Sequence, residues 1–154
     1  MTTYLVVIFV LKHIYNKVNM IVVAGVWEEG WNTPIKEFDM WYYPLTVFGA
    51  DEFAMTPVSG IRLNNKVLEF HNVDELIQHY GLPVIVCDEN GTTPLESFEH
   101  PKDALYLFNR VSGGTHIGKE TETSLRIETK LPQGLIWGHQ AMSIILYDRF
   151  RKNI

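Results

Sequence analysis

The sequence predicts an α/β fold, in which helices flank a mainly parallel sheet. From Asn19 onward, apolar β-branched runs alternate with amphipathic stretches of helix length, which is typical of strands joined by crossover helices. Several runs carry no polar residue, as expected of parallel strands that helices cover on both sides. We therefore assign residues 20–154 to a single α/β domain and residues 1–19 to an N-terminal accessory segment or extension.

The composition is that of a chain with a substantial buried core. Its 154 residues are 46% hydrophobic and 12% aromatic, which excludes a disordered or fibrous protein. The net charge of −5 argues against tight non-specific binding of nucleic acid, because such binding depends on Lys and Arg, but weak RNA contact remains open. The single cysteine, Cys87, permits no internal disulfide, so we expect a reducing, cytoplasmic location.

The N-terminal segment contains an apolar run at residues 4–11. The run is too short to cross a bilayer, which takes roughly 20 apolar residues. No basic segment precedes it and no Ala-x-Ala site follows, so we expect no exported form. Three interpretations stay open: an additional edge strand or helical turn, a partner-binding arm, or a non-native extension.

The first half of the domain is predicted to contain two strands and a helix. Residues 20–26 (MIVVAGV) predict a buried parallel strand. Pro34 at a first helical position starts a helix over residues 35–41, which Pro44 kinks or ends. Residues 52–56 predict the second strand.

The middle of the chain carries the strongest helix signals. Asn72, with Glu75 three residues later, predicts an N-cap and capping box for a helix over residues 73–80. Gly81 ends this helix, and residues 83–87 predict the next buried strand.

The last third is predicted to hold two strands and a terminal helix. Residues 104–108 (ALYLF) predict a buried strand, and the alternation over residues 125–131 predicts a strand with one exposed face. Residues 140–152 predict a helix, with Arg149 away from its apolar face. That face is formed by Met142, Ile145, Leu146 and Phe150.

Two polar loops follow predicted parallel strands, at residues 88–94 and 109–115. Such loops leave a parallel sheet at the same edge, where ligands of open α/β sheets bind. The sequence therefore places the default ligand site at these two loops.

The stretch from Val73 to Lys152 resembles the SpoU/TrmH branch of the SPOUT methyltransferases. The segments that carry the resemblance are GTTPL at 91–95, FEHP at 98–101, ALYLF at 104–108, LP at 131–132 and ILYDRF at 145–150. The resemblance implies an α/β domain with a C-terminal trefoil knot, a homodimer, and transfer of a methyl group from S-adenosylmethionine to a ribose 2′-hydroxyl of tRNA or rRNA, with no metal.

Carried over by position, the cofactor loops would be residues 88–93, 109–115 and 131–137. The candidate cofactor-binding residues are Asp88, Gly91, Asn109, Gly113, Gly114, Leu131, Leu135 and Trp137. Much of the cofactor contact in this family comes from backbone groups, so glycines in these loops suit a close backbone approach.

The chain departs from the family pattern at three positions. The first motif offers Asn32 but only Lys36 in place of an arginine. The glutamate of the second motif is missing from residues 108–114, and the asparagine of the third motif is missing from residues 136–140. These losses favour an alternative function, a non-catalytic dimer of the same fold that binds S-adenosylmethionine or a nucleotide, or acts as a scaffold.

The candidate catalytic residues are Asn32, Arg110 and His139. His139 could act as a base, and the planar guanidinium of Arg110 suits a phosphate or the cofactor carboxylate. The alternative for His139 is a helix N-terminal residue that satisfies local backbone groups, and for Arg110 a solvated surface charge.

Other patterns favour structural roles. We expect Trp41 in the core and Trp27 and Trp31 in packing or a dimer contact, which leaves Trp137 as the tryptophan to test as a pocket residue. The charged residues between positions 119 and 130 are expected to form a solvated face.

Overall fold

The computed structural model describes residues 19–27, 34–60, 66–109, 123–131 and 136–152. Within these ranges the strands are β1 (Ile21–Val26), β2 (Glu52–Thr56), β3 (Val67–Glu69), β4 (Val84–Cys87), β5 (Thr93–Pro94), β6 (Ala104–Asn109) and β7 (Ser124–Arg126). The helices are α1 (Pro34–Val47), α2 (Val73–Tyr80) and α3 (Gly138–Arg151), and a 3-10 turn covers Leu95–Ser97.

The strands form one sheet in the order β3-β2-β1-β6-β4-β7-β5, and each described pairing is parallel. On one face, α1 and α3 pack over a core that includes Val23, Trp41 and Ile145. On the other face, α2 contributes Leu76 to a second core that includes Val22. The α/β prediction is confirmed, and the unbroken apolar run of β1 follows from burial on both sides.

Helix α1 is longer than predicted, because it continues through Pro44 to Val47. A proline inside a helix costs about 3 kcal/mol. Trp41 and Leu45, on either side of Pro44, are both fully buried, and each such side chain contributes about 1.5–3 kcal/mol. Packing on the sheet therefore outweighs the local signal to stop.

Helix α2 has the predicted ends. The Asn72 side chain accepts a hydrogen bond from the backbone N–H of Glu75 at 2.9 Å. Gly81 adopts φ 60°, and its N–H donates to the carbonyl of Ile77, which closes the helix. Both signals act within a few residues of chain, so the sequence alone specifies them.

Strand β7 is shorter than the predicted 125–131, since it stops at Arg126. Its neighbour β4 ends at Cys87 opposite Leu125, and its other neighbour β5 ends at Pro94 opposite Arg126, so the described residues after Arg126 have no strand beside them. Alternating polarity marked an exposed face correctly but could not show where the neighbouring strand ends. The short strands β3 and β5 were missed.

Helix α3 begins at Gly138, two residues before the predicted start, and its buried face differs from the prediction. Met142, Ile145 and Leu146 are buried as expected, but Phe150 is 64% exposed and Arg149 is 5% exposed. Positions 142, 145 and 149 follow the helical repeat, so Arg149 continues the buried face while Phe150 is turned to solvent. The assignment of these last two residues from sequence was wrong.

Arg149 is buried because backbone carbonyls satisfy its guanidinium. One nitrogen, Nη1, donates to the carbonyl of Pro101 and to the Tyr106 hydroxyl, and Nη2 donates to the carbonyl of Lys102 at 2.9 Å. The three acceptors lie just before or within β6, at its amino end. Helix α3 is thus fixed to the chain that enters β6.

Two predictions concern parts of the chain outside the described residues. The accessory segment falls there except for Asn19. The predicted trefoil knot depends on the path of residues 110–122 and 132–135, which are also outside the described ranges. A search of the described helices for one that is long and apolar enough to cross a membrane found none.

Candidate functional site

The carboxyl ends of three neighbouring strands lie level with one another. Phe108 of β6 pairs with Cys87 of β4, and Cys87 pairs in turn with Leu125 of β7. The chain that follows each strand therefore leaves the sheet at one edge. The prediction that β4 and β6 end at the same edge is confirmed, whereas residues 110–115 of the second loop lie outside the described residues.

The loop after β4 is a compact turn, and we call residues 88–92 the 88–92 loop. The N–H of Asp88 donates to the carbonyl of Leu125 at 3.0 Å. The Asp88 carboxylate accepts from the N–H of Asn90 at 2.9 Å, and the N–H of Gly91 donates back to the Asp88 carbonyl. Asp88 therefore shapes the loop through both its side chain and its backbone.

Gly91 is a glycine because β7 leaves no room for a side chain. A Cβ built at this position would lie 2.5 Å from the carbonyl carbon of Leu125, a distance that real Cβ atoms do not adopt. The close approach presses the 88–92 loop against the backbone of β7. Gly91 was predicted to contact the cofactor, and the structure adds this separate packing role.

Arg126 is the main functional candidate that sequence reasoning missed. It was expected on a solvated face, but Nη1 donates to the carbonyls of Gly91 at 2.9 Å and Thr92 at 3.1 Å. Its Nε also donates to Glu128 at 2.9 Å. The expectation was wrong because the acceptors are some 35 residues away in sequence, and no local pattern signals them.

His139 and Trp137 are at the same end of the molecule as the strand ends. The ring of Phe108 lies 5.7 Å from that of Trp41, and the Trp41 ring lies 6.3 Å from that of His139. The rings of His139 and Trp137 are 6.4 Å apart. Trp41 is 1% exposed, His139 is half-buried and Trp137 is 58% exposed, so the aromatic series runs from the core to the surface.

The start of α3 holds His139 in place. The Trp137 N–H donates to the Gln140 side chain at 3.0 Å, and the Ser143 hydroxyl donates to the His139 carbonyl at 3.0 Å. Among the hydrogen bonds of the described residues, none involves a ring nitrogen of His139. The backbone of His139 is engaged, and its imidazole is available for a ligand.

The remaining candidates have mixed outcomes. Leu131 is exposed, and Asn109 ends β6. The candidates outside the described residues are Asn32, Arg110, Gly113, Gly114 and Leu135. The roles of all these residues, and of Asp88, Gly91, His139 and Trp137, stay predictions.

Two of the three tryptophans that were expected to pack are buried. Trp27 and Trp41 are buried and lie edge to face, with ring centroids 5.6 Å apart. Trp31 is outside the described residues. Trp27 and Trp41 thus form part of the core beneath the start of α3.

Electrostatics at the strand ends favour a neutral Cys87. Burial, with a smaller effect of the neighbouring Asp88 carboxylate, raises the pKa of its thiol well above the usual value. A protonated thiol is a poor nucleophile and metal ligand. Across the described ranges, no group of three or more His, Cys, Asp or Glu side chains could hold a metal ion.

Comparisons with known proteins bear on the fold. No family model and no curated protein matches this sequence. The SpoU methyltransferase AviRb from Streptomyces viridochromogenes, solved with AdoMet, aligns with a TM-score of 0.68 and 12% identity over 88% of this chain and 58% of its own. An AdoMet-bound rRNA methyltransferase from Sinorhizobium meliloti aligns with a TM-score of 0.64 and 12% identity, over 88% of this chain and 57% of its own.

A third solved structure comes from work on the 2-OH methylation of C/U34 on tRNA, and it aligns with a TM-score of 0.64 and 10% identity. That alignment covers 86% of this chain and 96% of the other protein. By contrast, the chain spans less than two thirds of the length of AviRb and of the S. meliloti enzyme. These likenesses show that the protein has the fold of the SpoU-type methyltransferases.

Proposed function

We propose that this chain, which has the SpoU methyltransferase fold, is a methyltransferase-like protein that uses S-adenosylmethionine to methylate a ribose 2′-hydroxyl of tRNA or rRNA. One observation carries the proposal. The carboxyl ends of β4, β6 and β7 lie level at one edge of a sheet whose fold matches an AdoMet complex over 88% of the chain. In open α/β sheets this edge is where ligands bind.

The described residues fit an adenosine-containing cofactor at this edge. The 88–92 loop is held rigidly by its own hydrogen bonds and by β7. At the strand ends beside it, Cys87, Phe108 and Leu125 lie side by side on one face of the sheet and pack into the apolar core, which supports this edge from below. When bound, the cofactor would supply an electrophilic methyl group. Asp88, Gly91, Asn109, Gly113, Gly114, Leu131, Leu135 and Trp137 are the proposed cofactor-binding residues.

His139 is the proposed base that accepts the proton of the ribose hydroxyl. Its imidazole packs near Trp41 and Trp137, which restrict the ring to one region of the surface. Histidine is the side chain that most often accepts a proton in general base catalysis. Arg110 would pair with a phosphate or with the cofactor carboxylate, and Asn32 would complete the site.

We further propose that the protein is a cytoplasmic homodimer. The adjacent helices α1 and α3 both carry large exposed apolar side chains. These are Ile35, Met40, Tyr43 and Val47 on α1 and Ile144, Tyr147 and Phe150 on α3. Two helices with such faces provide a surface that a second copy could bury.

A second candidate function is a non-catalytic dimer that binds the cofactor or a nucleotide. A specific observation favours it, since the family's arginine, glutamate and asparagine are absent from the three motif positions. The net charge of −5 also weakens attraction to RNA phosphates.

Calorimetric titration with S-adenosylmethionine tests both candidates. Heat with a 1:1 stoichiometry is the expected result, and no heat at millimolar ligand would overturn the methyltransferase and the cofactor-binding form of the second candidate. Transfer of tritium from labelled cofactor to bulk tRNA then separates them. We expect label in the tRNA, and its absence with intact cofactor binding would leave the non-catalytic dimer.

The His139→Ala variant tests the base. It is expected to reduce transfer by about 10²–10⁴-fold while cofactor affinity is kept, which is the typical contribution of general base catalysis. His79→Ala is the matched control, because His79 packs against Phe70 on the opposite helix layer. Equal transfer rates in the two variants would remove His139 from the mechanism.

A further inference from the structure

Arg126 connects the 88–92 loop to the last strand of the candidate site. Its Nη1 donates to two consecutive carbonyls, those of Gly91 at 2.9 Å and Thr92 at 3.1 Å. Its Nε and Nη2 lie 2.9 Å and 2.8 Å from Oε1 of Glu128. All three guanidinium nitrogens therefore have acceptors, and the planar geometry of the group fixes the direction of both carbonyls.

A second attachment joins the same loop to β7. The Thr92 N–H donates to the Ser124 hydroxyl at 2.9 Å, and the two hydroxyl oxygens are 3.1 Å apart. With the contact of Gly91 against the Leu125 backbone and the bond from the Asp88 N–H to the Leu125 carbonyl, four interactions hold one five-residue loop against β7. The 88–92 loop and β7 consequently behave as one unit at the carboxyl edge.

We infer that Arg126 is a positioning residue that holds the 88–92 loop in the shape that binds an adenosine-containing cofactor. The inference rests on the proposed function and adds a residue to it. Arg126 acts through the loop, because its donors are directed at the two carbonyls and at Glu128. A loop that is ordered before binding avoids the ordering cost when the ligand arrives, so affinity rises without a direct contact.

The first test measures the affinity for S-adenosylhomocysteine by calorimetry. Arg126→Gln is expected to weaken binding by about tenfold, since the loop must then be ordered on binding. Arg126→Lys, which keeps a donor for the carbonyls, should recover part of the affinity. Arg151→Gln is the matched control, because it removes the same charge from α3, where Arg151 lies 6.0 Å from the Tyr147 ring.

A charge-neutral variant separates loop positioning from simple electrostatics. Ser124→Ala removes the acceptor of the Thr92 N–H and leaves the net charge unchanged. It is expected to weaken binding about threefold, in the same direction as Arg126→Gln. In both variants without ligand, amide hydrogen exchange at Thr92 should accelerate while the melting temperature stays close to that of the native chain.

The outcomes distinguish this inference from the function on which it rests. If the native chain does not bind the ligand, the proposed function is overturned, and the cofactor role of Arg126 with it. If the native chain binds and Arg126→Gln binds equally well, only the inference is overturned. If Arg126→Gln and Arg151→Gln lose the same amount of affinity for the ligand, the overall charge is the cause, and the inference about Arg126 is overturned.

Discussion

Nε2 of His100 lies 2.7 Å from Oδ2 of Asp148, so the chain that leads into β6 is hydrogen-bonded to α3. The other ring nitrogen, Nδ1, lies 2.7 Å from the Tyr106 hydroxyl. A carboxylate can only accept, so Nε2 carries the proton and Nδ1 accepts from Tyr106. The neutral imidazole of His100 is therefore fully satisfied inside the protein.

The pH dependence of stability should reflect this histidine. Burial lowers the pKa of His100 below its usual 6.5, against a smaller opposite effect of Asp148. The unfolded chain then binds more protons than the folded chain as the pH falls through 6.5, so stability is complete above that pH and decreases below it. Urea unfolding at pH 7.5 and 5.5 should show a lower free energy of unfolding at pH 5.5.

The His100→Gln variant checks the assignment. It should flatten the dependence between the two pH values, although its stability at pH 7.5 is lower. His79→Gln, on α2, should keep the native dependence. If the free energy of unfolding of His100→Gln changes with pH as it does in the native chain, another group causes the pH dependence.

Loss of the Arg149 side chain should destabilise the fold strongly. Arg149→Met leaves the carbonyls of Pro101 and Lys102 without their charged donor, and a bond of this kind contributes about 1.5–3 kcal/mol. We expect a loss of about 3 kcal/mol in the free energy of unfolding by urea titration. Arg151→Met, at an exposed position of the same helix, should change it by less than about 0.5 kcal/mol. Similar losses in both variants would contradict the anchoring role.

Gly91→Ala should be costly even though alanine is a small residue. The new Cβ would meet the Leu125 backbone at 2.5 Å, so β7 or the loop must move, at a cost of about 1–3 kcal/mol. Thermal unfolding should show the decrease. Asn90→Ala, which keeps the N–H that binds Asp88, is the neighbouring control and should unfold like the native chain. An unchanged Gly91→Ala would mean that the loop is not pressed against β7.

The dimer proposal is tested by a charge on the apolar surface. Val47→Glu introduces a carboxylate at a position that is 77% exposed, beside Phe48, whose ring lies 5.8 Å from that of Tyr147 on α3. Sedimentation should show a dimer for the native chain and a monomer for this variant. Val58→Glu, at an exposed position outside both helices, should remain dimeric. A native chain that sediments as a monomer would overturn the proposal.

Sequence signals succeeded where the physical cause is local. The caps of α2 at Asn72 and Gly81 depend on hydrogen bonds to residues three or four positions away. The apolar run of β1 also predicts a buried strand by itself, without knowledge of the strands that pair with it. Such features are determined by backbone geometry and side-chain polarity within one turn or strand.

Sequence signals failed where the cause is distant. From the sequence, Arg126 and Arg149 were both expected to be solvated charges. In the structure they donate to backbone carbonyls that are 34 to 48 residues away in sequence. The early end of β7 likewise follows from where its two neighbours, β4 and β5, end. For the candidate site, the edge at which β4 and β6 end was predicted correctly, but the role of Arg126 in holding the 88–92 loop was not.

Helix α3 runs between the two ends of the strands. His139 lies near their carboxyl ends, and the Arg149 anchor lies near the amino end of β6. The helix has 14 residues and is therefore about 21 Å long. His139 lies about 15 Å along the axis from Arg149, so a tilt of about 5° at the anchored end would move the imidazole by roughly 1 Å, and shifts of that size are enough to ruin a reactive geometry. A substitution that removes the guanidinium of Arg149 would thus disturb the proposed base ten residues earlier in the same helix, and a survey for inactivating mutations should find some of them at this remote position.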